Sequence, residues 1–320
     1  MIWVGWRQQR LETAIAAGVL LALAAVAIPA GVHMASVYAH EHLASCVGNA
    51  ESSACGLATG SFQTRFVGVN LLFTWSTLLP AVAALLLAAP FVLDLDSGTY
   101  RLFWTQSITR RRWLAVKLGF GVIALAAVTG GLTVLAMWAR APLDHSGGRM
   151  GSSAYDAEGI VPLAYGLFVF GIAVALGALW RRIVPALLLA FVAYVIGRAF
   201  MDSWLRERLL APVKSTWQLA GQHGPNLDRA LVIDQFLSDK SGTRIATAFR
   251  PCGSTSSGFL THTNAVCAQP LARGAHAYMT AIYQPASRFW ELQGIEFAIV
   301  AGIGALLVLL AAWWTQRRVA

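Results

Sequence analysis

The chain is short of charge. Asp, Glu, Lys and Arg make up 12% of its 320 residues, against about 25% in soluble globular proteins, while 57% are hydrophobic and the mean hydropathy is +0.59. That balance excludes a water-soluble domain and leaves an integral membrane protein. Other absences narrow the chemistry. None of the three lysines closes a Gly-x-x-x-x-Gly-Lys loop, because Val116, Val213 and Asp239 precede them, so the usual cradle for nucleotide phosphates is missing. No His-Glu-x-x-His, Cys-x-x-Cys or Gly-x-Ser-x-Gly occurs, which leaves zinc protease, thiol redox and hydrolase readings without a motif. His40-Glu41-His42, with His33 nearby and His262 further on, is a histidine cluster of poor geometry. Imidazoles one spacer apart do not share a helical face and no third ligand is fixed, so no metal is expected.

What the chain does have is long apolar runs. Six of them reach bilayer length at 1.5 Å rise per residue: Thr13–Met34, Phe66–Leu93, Leu118–Trp138, Ile160–Trp180, Ile183–Met201 and Gly294–Trp314. The expectation is an all-α integral membrane protein of six transmembrane helices. Residues 1–201 would form the membrane domain with helices 1 to 5, residues 202–290 an extracytoplasmic segment, and residues 291–320 the sixth helix and a tail. In residues 202–290, Asp228–Leu237 and Leu271–Tyr283 suggest helices.

The net charge of +9 fits topology better than a nucleic-acid partner, since the arginines cluster beside hydrophobic runs. With both termini inside, the cytoplasmic segments hold eleven basic residues against three acidic ones, and the other side holds thirteen against twelve. The positive-inside rule selects that orientation. Cys46, Cys55, Cys252 and Cys267 then all fall outside, where disulfides persist. Local pairing, Cys46–Cys55 and Cys252–Cys267, is preferred among three possible connectivities. The excess of arginine over lysine, with abundant alanine, points to a GC-rich bacterial genome and hence to a bacterial plasma membrane.

The one long polar stretch on the inner side runs from Asp94 to Lys117. Gly98 and Thr99 mark a turn or helix start, with Thr99 as N-cap. Tyr100, Phe103 and Trp104 offer apolar contacts to a partner, and Arg110, Arg111, Arg112 and Lys117 face anionic lipid headgroups or partner carboxylates. Two further charges, Arg198 near the outer end of the fifth helix and Glu296 near the outer start of the sixth, are costly inside a membrane unless partnered. As a pair they would close the outer mouth of a pathway.

Asp96-Ser-Gly-Thr-Tyr-Arg-Leu-Phe-Trp-Thr-Gln-Ser-Ile-Thr-Arg-x-x-Trp-Leu-x-x-Lys117 resembles the cytoplasmic loop of ABC-2 type transporter permeases, particularly actinobacterial ones. Tyr283-Gln-Pro-Ala-Ser-Arg-Phe-Trp290 with Gln293 and Glu296 resembles the start of their last helix, and the closing Trp-Trp-x-x-Arg-Arg is similar too. Asp94 and Asp96 depart from the Glu that the family often carries before Gly-Thr. The resemblance implies a permease subunit, mostly of exporters, working as a homodimer or heterodimer. It implies a separate ATPase that carries ATP and Mg²⁺ and docks on a coupling helix within Asp94–Thr109. The competing reading is a membrane sensor or assembly protein whose residues 202–290 bind a ligand.

Overall fold

The computed structural model describes residues 2–46, 53–100, 109–218, 224–225, 227, 229–246 and 278–318. Of the expected features, Phe103, Trp104, Cys252 and Cys267 lie outside these residues, as does 271–277, the first part of the second expected outer helix.

Among the described residues, six helical stretches are long and apolar enough to cross a membrane. Helix α1 (Ile2–His40) supplies the first; α3 (Val67–Ser76) and α4 (Leu79–Asp96) together make the second. The third is α5 (Arg110–Gly147), the fourth α7 (Val161–Trp180), the fifth α8 (Ile183–Phe200) and the sixth α9 (Phe289–Arg318). Among the described residues, two short helices lie between spans: α2 (Ser53–Arg65) and α6 (Ser152–Ala157). A disulfide joins Cys55 of α2 to Cys46, with Cα atoms 5.2 Å apart.

Helix α7 is the most enclosed span, packed against α4, α5, α8 and α9. Its closest neighbour is α9, and glycine is the reason. A Cβ on Gly171 would meet the Gly304 carbonyl oxygen at 2.4 Å, and one on Gly304 would meet the Leu167 carbonyl at 2.6 Å. The two backbones touch as small residues permit in membrane helices. Large side chains such as Leu21, Val26, Ile123, Val184, Leu188 and Leu306 remain exposed on the outer faces, which a hydrocarbon surround accommodates and water does not.

The α7–α8 link is two residues long. Arg181 takes the left-handed conformation (φ 54°) and donates its N–H to the Gly177 carbonyl, while Arg182 is extended. The Asp96 carboxylate, from the end of α4, accepts the Ile183 N–H at 3.1 Å and so caps α8.

After α8 the chain continues through a wide turn, Met201–Leu205, and a 3₁₀ turn, Arg206–Arg208, into β1 (Val213–Gln218). The strands β2 (Leu231–Ser238), β3 (Arg244–Ala246) and β4 (Tyr278–Gln284) complete an antiparallel sheet in the order β1-β4-β2-β3. The spans are all-α as expected; this sheet corrects the reading of the segment between the last two. Within the patterns taken for helix, residues 231–237 and 278–283 are strand, because Leu231-Val232-Ile233 and Thr280-Ala281-Ile282-Tyr283 are rich in β-branched and aromatic residues. A row of hydroxyls crosses the sheet, with Thr280 2.8 Å from Thr216 and 2.7 Å from Ser238. The Gln284 amide donates to the Leu210 carbonyl (2.7 Å) and Arg288 donates to the Ala211 carbonyl (2.8 Å), hanging the sheet directly from spans five and six.

Candidate functional site

At the end of the bundle where α1 begins and α9 ends, the two stems of the polar 94–117 segment are tied to the helices. The Thr99 hydroxyl donates to Asp94 at 3.1 Å, and Gly98 takes a positive φ of 74° to let the chain turn back over the end of α4. Lys117 forms an ion pair with Asp94, donates to the Pro90 carbonyl at 3.3 Å, and lies 5.6 Å from the centre of the Trp113 ring. The Gln9 side chain of α1 donates to the Lys117 carbonyl at 3.4 Å. Arg110 donates to the Gln316 carbonyl of α9 at 3.3 Å. With Asp96 of α4 capping α8, the stems therefore hold spans one, two, three, five and six.

Two sequence expectations change here. Lys117 is 4% exposed, so it anchors helix to helix and does not reach the headgroups. Tyr100 is 1% exposed and belongs to the core of the bundle, so it offers no surface to a partner. Arg111 and Arg112 are exposed, as are Asp96 and Thr109.

At the sheet end lies a network of buried charge centred on α6. The Asp156 carboxylate accepts from Arg198 at 2.7 Å and from Arg206 at 2.6 Å. Arg206 also donates to Glu296 of α9 (3.1 and 3.2 Å) and to Asp202 (2.6 Å), and its guanidinium sits 4.1 Å from the Tyr155 ring centre. Glu296 takes a further hydrogen bond from the Tyr165 hydroxyl at 2.9 Å. Two residues along the chain, Glu158 is held by Arg140 (3.2 Å) and Arg149 (2.9 Å), and Arg140 reaches Asn70 at 2.8 Å. Arg198 and Glu296 thus belong to one network without touching. Asp156 and Arg206 stand between them, because Arg206 follows the wide turn that ends span five and takes the Glu296 carboxylate itself. Burial pushes the Asp156 carboxyl above the usual carboxylate range, and the Arg206 and Arg198 guanidiniums oppose that shift.

Gln293 completes the arrangement. Its carbonyl oxygen accepts the Ile160 and Val161 N–H groups (2.9 and 3.1 Å) and its amide donates to the Tyr155 and Glu158 carbonyls (2.8 and 3.1 Å). One side chain of α9 thereby caps the start of α7 and the end of α6. Gly159 has φ 70°, and a Cβ there would meet the Gln293 oxygen at 2.4 Å, so this position requires glycine.

Asp156, Glu158, Arg140 and Arg206 were not singled out in the sequence. A signal was present: two carboxylates in Asp156-Ala-Glu158, in a short connection between apolar runs, need buried cationic partners. Between α1, α4 and α5 lies an apolar crevice, lined by Ala16, Leu20, Pro80, Ala83, Val128 and Leu132 among others. Thr129 also lines it, with its hydroxyl already donated to the Leu125 carbonyl, so the crevice has little to orient a polar solute. Among the described residues no group of three His, Cys, Asp or Glu is placed to hold a metal ion.

A family model described as ABC-2 membrane transporter related matches residues 17–206. The chain belongs to that family. It is accordingly a multi-pass membrane protein of a transporter permease family, and the family implies an ABC ATPase as a partner. The match begins within the first span, takes in spans two to five, the 94–117 segment and α6, and ends at Arg206 in the middle of the charge network. No curated protein and no solved structure gives a significant match.

Proposed function

We propose that this chain is the permease subunit of a bacterial ABC exporter, with both termini and residues 94–117 in the cytoplasm. A separate ATPase, holding ATP and Mg²⁺, grips the 94–117 segment. Two permease copies, identical or related, enclose the pathway between them and alternate its access from side to side. The observation that carries this reading is the way the segment is mounted. Its stems contact five of the six spans through Gln9, Asp94, Asp96, Arg110 and Lys117, so a load applied there reaches nearly the whole bundle. Exposed Arg111 and Arg112 supply charge for carboxylates on a motor subunit.

The test is purification of the tagged chain in mild detergent with assay for a bound ATPase. A Phe103→Ala/Trp104→Ala variant and an Arg111→Ala/Arg112→Ala variant are purified beside it. An ATPase retained by the wild type and reduced in variants that remain monodisperse supports the reading. Should the wild type retain none, the coupling mechanism fails and the sheet becomes the place to search for a ligand.

A further inference from the structure

We infer that Lys117 is a positioning residue that couples the 94–117 segment to helices α1, α4 and α5 as a strut, with Asp94 as its bound carboxylate and Glu12 as a second, adjacent one. This rests on the permease reading and specifies how its load is transmitted.

A lysine near the start of a span ordinarily extends its ammonium to the surface. Arg111 and Arg112, earlier on the same helix, are exposed. Lys117 does the opposite: its side chain is 3% exposed and its ammonium points across the α4–α5 seam to Asp94 and the Pro90 carbonyl. A buried ammonium is retained only where anions and acceptors surround it, and Asp94 is the carboxylate bound to this one. Glu12, on α1, has its Oε2 buried with no hydrogen-bond partner among the described residues. The backbone of the same lysine is held by Gln9, one turn before Glu12 on α1. Lys117 therefore sits where three helices meet at the root of the segment. Asp94 belongs to one stem and Lys117 to the other, so the pair closes the segment into a loop whose ends cannot separate while it is formed. Displacement of the segment then moves α4 and α5 together and draws α1 with them.

The experiment reconstitutes the permease with its co-purified ATPase in lipid nanodiscs and compares ATP hydrolysis by the complex with hydrolysis by the ATPase alone. The variants are Asp94→Asn, Lys117→Met, the exchange Asp94→Lys/Lys117→Asp made together with Glu12→Gln so that no carboxylate opposes the relocated one, and Asp94→Asn/Glu12→Gln. The strut predicts that the two single variants bind the ATPase in wild-type amounts yet lose about tenfold or more of the permease-dependent change in rate, the scale of a charged hydrogen bond. It also predicts that the exchange restores most of that change and that Asp94→Asn/Glu12→Gln loses more than Asp94→Asn alone. Wild-type rates in both single variants overturn the strut while leaving the permease reading intact. So does an exchange variant that is folded and no better than the singles. If the singles cannot be extracted as monodisperse protein, Asp94→Asn/Lys117→Met, which removes both buried charges, is measured instead; an unchanged rate there overturns the strut. Absence of any ATPase from the wild-type preparation removes the permease reading and the strut with it.

Discussion

At the scale of single residues, the buried charges on α6 dominate. Arg206 serves Asp156, Glu296 and Asp202 at once, so Arg206→Gln leaves buried carboxylates without compensation and should cost about 3–5 kcal/mol. Arg198→Gln should cost less, because Arg198 is one-fifth exposed and Asp156 keeps Arg206; thermal unfolding of both variants in one detergent gives the order. A milder effect belongs to the turn after β2, where the Ser241 hydroxyl, the Thr243 and Ser241 N–H groups and the Gly242 backbone hold Asp239 below its ordinary value. A depressed carboxylate supports its turn above the unfolded pKa of about 3.9 and loses that support as pH falls through the folded value. Faster exchange of the Ser241 and Thr243 amides below that pH is the expected sign. The sequence shows Arg198 and Glu296 as charges needing partners, because a charge in an apolar run is conspicuous. It hides the identity of those partners, since Asp156 and Arg206 reach them through a turn geometry that no local spacing encodes.

At the scale of elements, contact between helices depends on where glycine removes bulk. Gly171 and Gly304 lie backbone to backbone, so Gly171→Leu or Gly304→Leu should separate α7 from α9. Gly302, which has open space beside it, should accept alanine with a gain in helix stability of about 1 kcal/mol. Yield of monodisperse protein distinguishes the two classes. The six spans were legible because a bilayer imposes length and apolarity on a continuous stretch, and their structural limits extend the sequence estimates mainly at polar ends such as Arg110 and Gly147. The sheet was not legible. In β2 the Leu-Val-Ile run and its irregular register between Val232 and Asp234 lack the strict alternation that marks a half-buried strand.

At the scale of the whole molecule, the orientation proposed from charge counting can be tested with a membrane-impermeant maleimide. A cysteine at Ser241 should be labelled in intact cells and one at Ser97 only after lysis; the reverse pattern inverts the topology. Cys46 and Cys55 should react only after reduction, in keeping with their bond. The contact of α7 with α9 has a further mechanical meaning. Side chains can change rotamers and exchange hydrogen-bond partners, but two touching backbones have no such freedom, and the Gln293 cap fastens the same helices again at the sheet end. On the permease reading proposed above, these two spans serve as the stator of the chain, and rotation or tilt falls to α1 and α8, which bury the smallest share of their apolar windows.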